Sequence, residues 1–227
     1  MLGLNLPICR AVEPGFGLRI PTASSSTSWR VRNFATRSRF RPDLGGTPGP
    51  DRPRTNAFKR VSPGPAPIVR LGHVVLSVSD VSRTVGWWSE KFGVLVSDDI
   101  RLPDGTTAAS FLRCDRGSVP TDHHSLIFAT LPSGRVGFHH AAFEVIDFDD
   151  LVLGGEHLVE RGRERVWGVG RHLLGSQVFD YWADPWGNKV EHWTDGDLLT
   201  ADQAMQIQGM DAMTGVQWGP ALPATFL

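Results

Sequence analysis

Apolar and polar positions alternate most clearly between residues 71 and 194, and the pattern can be read through twice. Residues 71–79 alternate at the period of a strand. Ser82 to Phe92 then repeats at helical spacing, with Ser82 as the expected N-cap and Gly93 just past the end. Two strands are expected on either side of a Pro103-Asp104-Gly105 turn, and a fourth over 123–131. The second pass opens with a strand at 137–146 and a helix from Asp149 to Arg161 that stops at Gly162. Strands at 165–174, 177–183 and 188–194 complete it, the last two joined by Asp184-Pro-Trp-Gly-Asn188, whose residues favour a tight turn. Each pass is thus β-α-β-β-β. So small a sheet cannot bury both faces alone, so the pattern predicts an α+β fold of two tandem βαβββ modules, about 69–134 and 135–200. Their strands should form a curved mixed sheet around a shared cavity.

The repetition extends to individual residues. Gly72-His73-Val-Val-Leu-Ser-Val-Ser-Asp80 recurs 67 positions later as His139-His140-Ala-Ala-Phe-Glu-Val-Ile-Asp147, and the same offset carries His124 onto Glu191. Three histidines and one carboxylate therefore stand at matched places. Imidazole nitrogen and carboxylate oxygen hold divalent transition metals, and two His with one carboxylate leave coordination positions open for substrate, so a metal site between the repeats is expected. Strand alternation sends His139 and His140 to opposite faces. As the twin of His73, His140 is the expected ligand and His139 a packing or surface residue; the same logic prefers Glu191 to His192. His123, His157 and His192 receive no role.

Composition changes the picture mainly at the N-terminus. Residues 1–66 carry eleven Lys or Arg against three acids, nine of the 16 prolines, and the run Ser24-Ser-Ser-Thr-Ser28, without sustained periodicity. They read as a basic, disordered leader and linker, a composition shared with organelle transit peptides and with the remnant of a lost domain. No aromatic-interleaved fold accompanies the arginines, so nucleic acid is not an expected partner. No apolar run of about 20 residues is present to span a bilayer, and a cytoplasmic location without membrane attachment is expected. The two cysteines, Cys9 and Cys114, fall in regions of different expected order, so no structural disulfide is expected.

Residues 69–227 resemble the C-terminal catalytic domain of type I extradiol ring-cleavage dioxygenases (catechol 2,3-dioxygenase-like) of the vicinal-oxygen-chelate, or glyoxalase, superfamily. The carriers are Leu71-Gly-His73, His139-His140-Ala-Ala-Phe143, Gly170-Arg-His172-Leu-Leu-Gly175, Phe179-Asp-Tyr181-Trp-Ala-Asp184-Pro-Trp-Gly187 and Val190-Glu191-His192. The resemblance implies Fe(II), or Mn(II) in some relatives, on His73, His140 and Glu191. It implies further that His124 stands beside the dioxygen position, that His172 hydrogen-bonds a catechol and moves protons, and that Tyr181 donates to a catecholate oxygen. A catechol-type substrate, dioxygen and a homo-oligomer follow as expected partners, in the breakdown of aromatic compounds. Residues 1–53 do not resemble the first βαβββ pair of two-domain members. Residues 201–227 are expected to form a helix, from Asp202 to Met213, and a tail resembling the one that folds over the family's cavity mouth.

Two other readings share the scaffold. A glyoxalase-like isomerase or epimerase usually fills a fourth protein position on the metal with Glu, which the repeat offset puts at residue 124, where this chain has His. A non-catalytic binder of small aromatics would need no proton donors at both 124 and 172.

Overall fold

The computed structural model describes residues 54–227. Residues 54–62, the described part of a separate unit spanning Val12–Ser62, hold no helix or strand. Readings of residues 1–53 lie outside the described residues. The first module contains β1 (Ile68–Ser77), α1 (Val81–Phe92), β2 (Leu95–Arg101), β3 (Thr107–Arg113), the short β4 (Thr121–Asp122) and β5 (Leu126–Ala129). The second contains β6 (Gly137–Val145), α2 (Phe148–Glu160), β7 (Arg165–His172), β8 (Val178–Ala183) and β9 (Lys189–Thr194). Then come β10 (Leu198–Leu199), β11 (Gln206–Gln208), α3 (Met210–Thr214) and β12 (Val216–Trp218). The helix expected over Asp202–Met213 is thus reduced to the five residues of α3. Gly209 and Gly215 bracket it, and the flanking segments pair as strands instead.

Ten strands form one mixed sheet in the order β11-β2-β3-β5-β1-β6-β9-β8-β7-β12. Within each module the first strand pairs in parallel with the last, β1 with β5 and β6 with β9, and the modules meet along an antiparallel β1·β6 seam. The repeat also fixes where the helices start. Asp80 and Asp147, 67 apart, are the N-caps, their side chains accepting from the backbone N–H of Arg83 and Asp150 at 2.9 Å each. The cap of α1 is therefore Asp80 and not Ser82. A carboxylate accepts the free N–H three residues on and complements the positive end of the helix. Gly93 adopts φ 66° and ends α1.

Alternation along β5 shows how the sheet divides its faces. Leu126 and Phe128 join Val81, Val85, Trp88 and Leu112 beneath α1. Ile127 and Ala129 join Val75, Phe111 and Ile100 on the opposite face. Full burial of Phe128 or Leu112 contributes about 1.5–3 kcal/mol each. In the second module Leu151 of α2 covers Val145 and Val178, while Trp167, Phe179, Tyr181 and Phe226 cluster separately. Buried Arg113 donates to the carbonyls of Val96, Thr200 and Gln203, tying the segment after β10 to the first module. The expectation for the cysteine pair turns on Cys9, which lies outside the described residues. Among the described residues no helix is long and apolar enough to cross a membrane.

Candidate metal centre and cavity

The β1·β6 seam carries His73 and His140, and β9, parallel to β6, carries Glu191 beside Ala142. Their ligand atoms lie within 4.8 Å of one another, and all three residues are buried. Glu191 Oε2 is 3.1 Å from His73 Nε2 and 3.4 Å from His140 Nε2. Even so, among the described residues neither Glu191 oxygen has a hydrogen-bond partner, nor do His140 Nε2 and His73 Nδ1. A fully buried carboxylate without a hydrogen bond is costly, and a cation answers that cost. Burial holds the His140 imidazole down at about pKa 4 against the pull of Glu191, which leaves its nitrogen a free lone pair. Burial pushes Glu191 up, but its histidine neighbours, His73 foremost, outweigh this and hold it well below the usual carboxylate range. Neutral imidazoles and an anionic carboxylate are the forms that bind a divalent ion, so these residues fit one.

Strand alternation fails at His139. Val75 pairs with His140 and Leu76 with Phe138, so His139 is an extra residue, a bulge on β6. The bulge turns both histidines to the cavity side, and their Nδ1 atoms meet at 2.7 Å. His139 Nε2 lies 2.9 Å from the carbonyl of Phe226, an acceptor only, so that nitrogen carries the proton. Lys189 Nζ, 3.3 Å away, therefore cannot donate to it. His139 Nδ1 is left as acceptor for His140 Nδ1–H, freeing His140 Nε2 for a metal. His139 thus stands behind His140, one of the three residues that could hold a metal. The adjacent histidines were visible in the sequence; the bulge that joins them was not.

The repeat offset also breaks in the last strand of each module. Val75, the twin of Ala142, pairs with Ile127, whereas Ala142 pairs with Glu191. Across the sheet, the counterpart of Glu191 is therefore Ile127 and not His124. The connection between β8 and β9 is shorter than that between β3 and β5, which shifts the register. His124 lies just before β5 rather than in the strand expected over 123–131. It stays outside the metal cluster, its ring 4.3 Å from that of His73.

A cavity opens over the triad. Its wall carries His73, His124, His139, His140, His172 and Tyr181 together with the apolar Val75, Phe111, Ile127, Leu174, Met213 and Phe226. All six expected site residues are thus brought together: five line the cavity and Glu191 lies beneath it. His172 stacks on Phe179 at 4.1 Å, and its Nε2 is 3.0 Å from the Tyr181 hydroxyl and 3.8 Å from Glu191 Oε1. Tyr181 stacks on Trp167, and burial, reinforced by Glu191, pushes its phenol well above the ordinary value, so it remains a donor. Burial likewise lowers His124 well below the usual imidazole value. The C-terminal segment contributes Leu222, Phe226 and Leu227 to the cavity wall, in keeping with the expected tail.

Comparison with known proteins agrees with this geometry. The chain is 35% identical to Metapyrocatechase 2 of Cupriavidus necator over 187 residues, covering 81% of this chain and 54% of that protein. It is 32% identical to 3-methylcatechol 2,3-dioxygenase of Pseudomonas putida, over 54% of this chain and 40% of that one. Among solved structures, the Mn(II)-bound glyoxalase from Novosphingobium aromaticivorans superposes with TM-score 0.61 at 24% identity, over 75% of this chain and 54% of that chain. BphC, a halotolerant catechol dioxygenase, gives 0.57 at 26%, over 69% and 49%. The chain spans about half the length of the curated relatives it matches most fully. Residues 70–192, more than half of the chain, match the family described as Glyoxalase/Bleomycin resistance protein/Dioxygenase superfamily, and the protein belongs to that family.

Proposed function

We propose that the protein catalyses extradiol cleavage of a catechol-type aromatic by dioxygen, with Fe(II) held by His73, His140 and Glu191. The observation that carries this reading is the buried, hydrogen-bond-deficient triad sharing one cavity with three further proton-bearing groups, His124, His172 and Tyr181. Similarity to metapyrocatechases and to a 3-methylcatechol dioxygenase supports it. Bound there, the ion would acidify a chelated catechol hydroxyl and bring dioxygen beside the ring.

The chain's own residues supply the rest. Glu191 and two neutral imidazoles offset one of the cation's two charges and leave coordination positions open. Tyr181, kept protonated, donates to a catechol oxygen. His172, 3.0 Å from that hydroxyl, orients it and exchanges the second catechol proton. His124 takes up the first catechol proton on its cavity-facing nitrogen, in that form supports charge developing on oxygen, and returns the proton when the O–O bond breaks. The carbon–carbon bond beside the diol breaks, and both oxygen atoms end in a hydroxymuconic-semialdehyde-type product, so no external reductant is consumed. Ile127 stands at the cross-sheet counterpart of Glu191, so the first module supplies no carboxylate there for an isomerase-type fourth ligand.

The test is anaerobic purification, reconstitution with Fe(II), and the visible absorbance of ring-opened product over a panel of catechols. Product that requires iron and dioxygen and vanishes in His140→Ala is the expected result. Iron-loaded, folded protein that forms no product from any catechol would overturn the reading.

A further inference from the structure

Two pairs of adjacent histidines stand at this cavity, His139, His140 and His124 lining it and His123 behind, and both make the same contact. His139 and His140 meet Nδ1 to Nδ1 at 2.7 Å, His123 and His124 at 3.0 Å. They differ in what lies behind them. His139 ends on the Phe226 carbonyl, whereas His123 Nε2 lies 2.6 Å from Asp98 Oδ2, a carboxylate on β2. We propose that Asp98 and His123 are positioning residues for His124, fixing its ring so that Nδ1–H points inward and Nε2 faces the substrate cavity. The proposal rests on the ring-cleavage reading for what His124 does, but the positioning itself does not require it.

The proton assignment follows from the contacts. An ionised carboxylate only accepts, so His123 Nε2 carries hydrogen and its Nδ1 is an acceptor while the ring is neutral. His124 Nδ1 must then donate to it, and Nε2, turned away from that contact, is the nitrogen left for the cavity that His124 lines. This is the arrangement in which a carboxylate behind a histidine selects tautomer and orientation.

His123 is held on every side. Its backbone N–H donates to the Asp197 carbonyl at 2.9 Å, and its own carbonyl accepts from Ser97 Oγ at 2.6 Å. Phe111 meets both imidazoles edge-on, at 5.9 and 5.2 Å. Gln208 Nε2 makes a longer contact, 3.4 Å, with the other oxygen of Asp98. Asp98, His123 and His124 are all buried, where an imidazole N–H without an acceptor is costly, so the carboxylate favours the His123 tautomer that donates to it.

The test compares His123→Phe, which removes both nitrogens at similar volume, and Asp98→Asn, which keeps an acceptor without charge, in the full chain. Nitrogen NMR of 15N-histidine-labelled, metal-free protein reads the tautomer of His124. One Nδ1–H form is expected in the wild type, retained in Asp98→Asn and mixed in His123→Phe. In the Fe(II)-loaded proteins, kcat for catechol should fall about 10–100-fold in His123→Phe, and less in Asp98→Asn. KM and Fe(II) affinity should stay within about twofold of the wild type. An unchanged His124 tautomer in folded His123→Phe, or a kcat that falls only with the folded fraction, would overturn the proposal. If the wild type cleaves no catechol while the tautomer still depends on His123, the ring-cleavage reading fails and the positioning stands.

Discussion

Substitution of Gly72 by alanine tests how tightly the proposed metal centre is built. Gly72 is the extra residue of a bulge on β1, immediately before His73, and its backbone lies against the indole of Trp193 on β9, two residues past Glu191. An alanine Cβ would stand 2.6 Å from Trp193 Cε2 and closer still to Cζ2 and Nε1, where ordinary contact begins at 3.4 Å. Something must move by close to 1 Å. Trp193 is 2% exposed, with Arg70 over its ring at 5.5 Å, so the indole cannot swing into solvent. The strain should fall on β1 and β9 and cost roughly 2–3 kcal/mol, the upper part of the range for overpacking a tight interior. Because those strands carry His73 and Glu191, Fe(II) affinity should drop as well, by about tenfold or more. Gly86, on α1, is the control: its Cβ would meet nothing within 4 Å, so Gly86→Ala should add about 1 kcal/mol through helix propensity. Urea denaturation of the two variants and the wild type, with Fe(II) titration of each, separates the effects. Gly72→Ala within about 0.5 kcal/mol of wild type, with unchanged metal affinity, would refute the packing argument.

Other perturbations have equally definite signs. Burial raises the Asp180 carboxyl to about 6 despite Arg165 at 3.2 Å; since its unfolded value is 3.8, the native state binds the extra proton. Stability from this group is therefore present at pH 4 and lost as pH rises to about 6, by roughly 3 kcal/mol. Asp180→Asn should abolish that loss, and urea midpoints at pH 4.5 and 7 that shift in parallel with wild type would contradict it. Phe226→Ala removes a ring packed on Trp167, Tyr181 and His139 but keeps the carbonyl behind His139. It should cost about 3 kcal/mol and raise KM for catechols more than it lowers Fe(II) affinity, as steady-state kinetics and metal titration would read. Gly175 adopts φ 74°, and a Cβ there would come within 3.1 Å of His123 Nδ1. Gly175→Ala should cost at least 1–2 kcal/mol of backbone strain, measured by thermal unfolding.

Reading the sequence located what local chemistry determines. Alternation and turn residues gave both modules in order; Asp80 and Asp147 recur at the repeat offset, but only the structure identifies them as the two N-caps, in place of the expected Ser82. What escaped was register. One inserted residue in β6 reverses the facing of His139, and sequence carries no local signature of a bulge without glycine. A shorter connection between β8 and β9 moves the counterpart of Glu191 from residue 124 to 127, a difference visible only once strands are paired. His123 and Asp98 were missed for a related reason, because their contact spans 25 positions between two separate elements.

The corrected register explains how a duplication produced one site instead of two half-sites. Strand pairing equates Ile127 with Glu191 and Phe111 with Tyr181, since Phe111 faces Ile127 as Tyr181 faces Glu191. The first module thus carries apolar side chains where the second carries a carboxylate and a phenol, the proposed metal ligand and proton donor, while His73 and His140 are kept in both. At these two equivalent positions the modules differ in polarity although they face one cavity. Under the proposed reading this difference orients the substrate. A catechol whose oxygens meet the triad and Tyr181 has its remaining ring carbons against Phe111 and Ile127, where burial favours carbon and no side chain competes for the oxygens. Had both modules kept the polar set, a buried second carboxylate would have faced the first across the cavity, and the aromatic ring would have had no apolar wall to lie on.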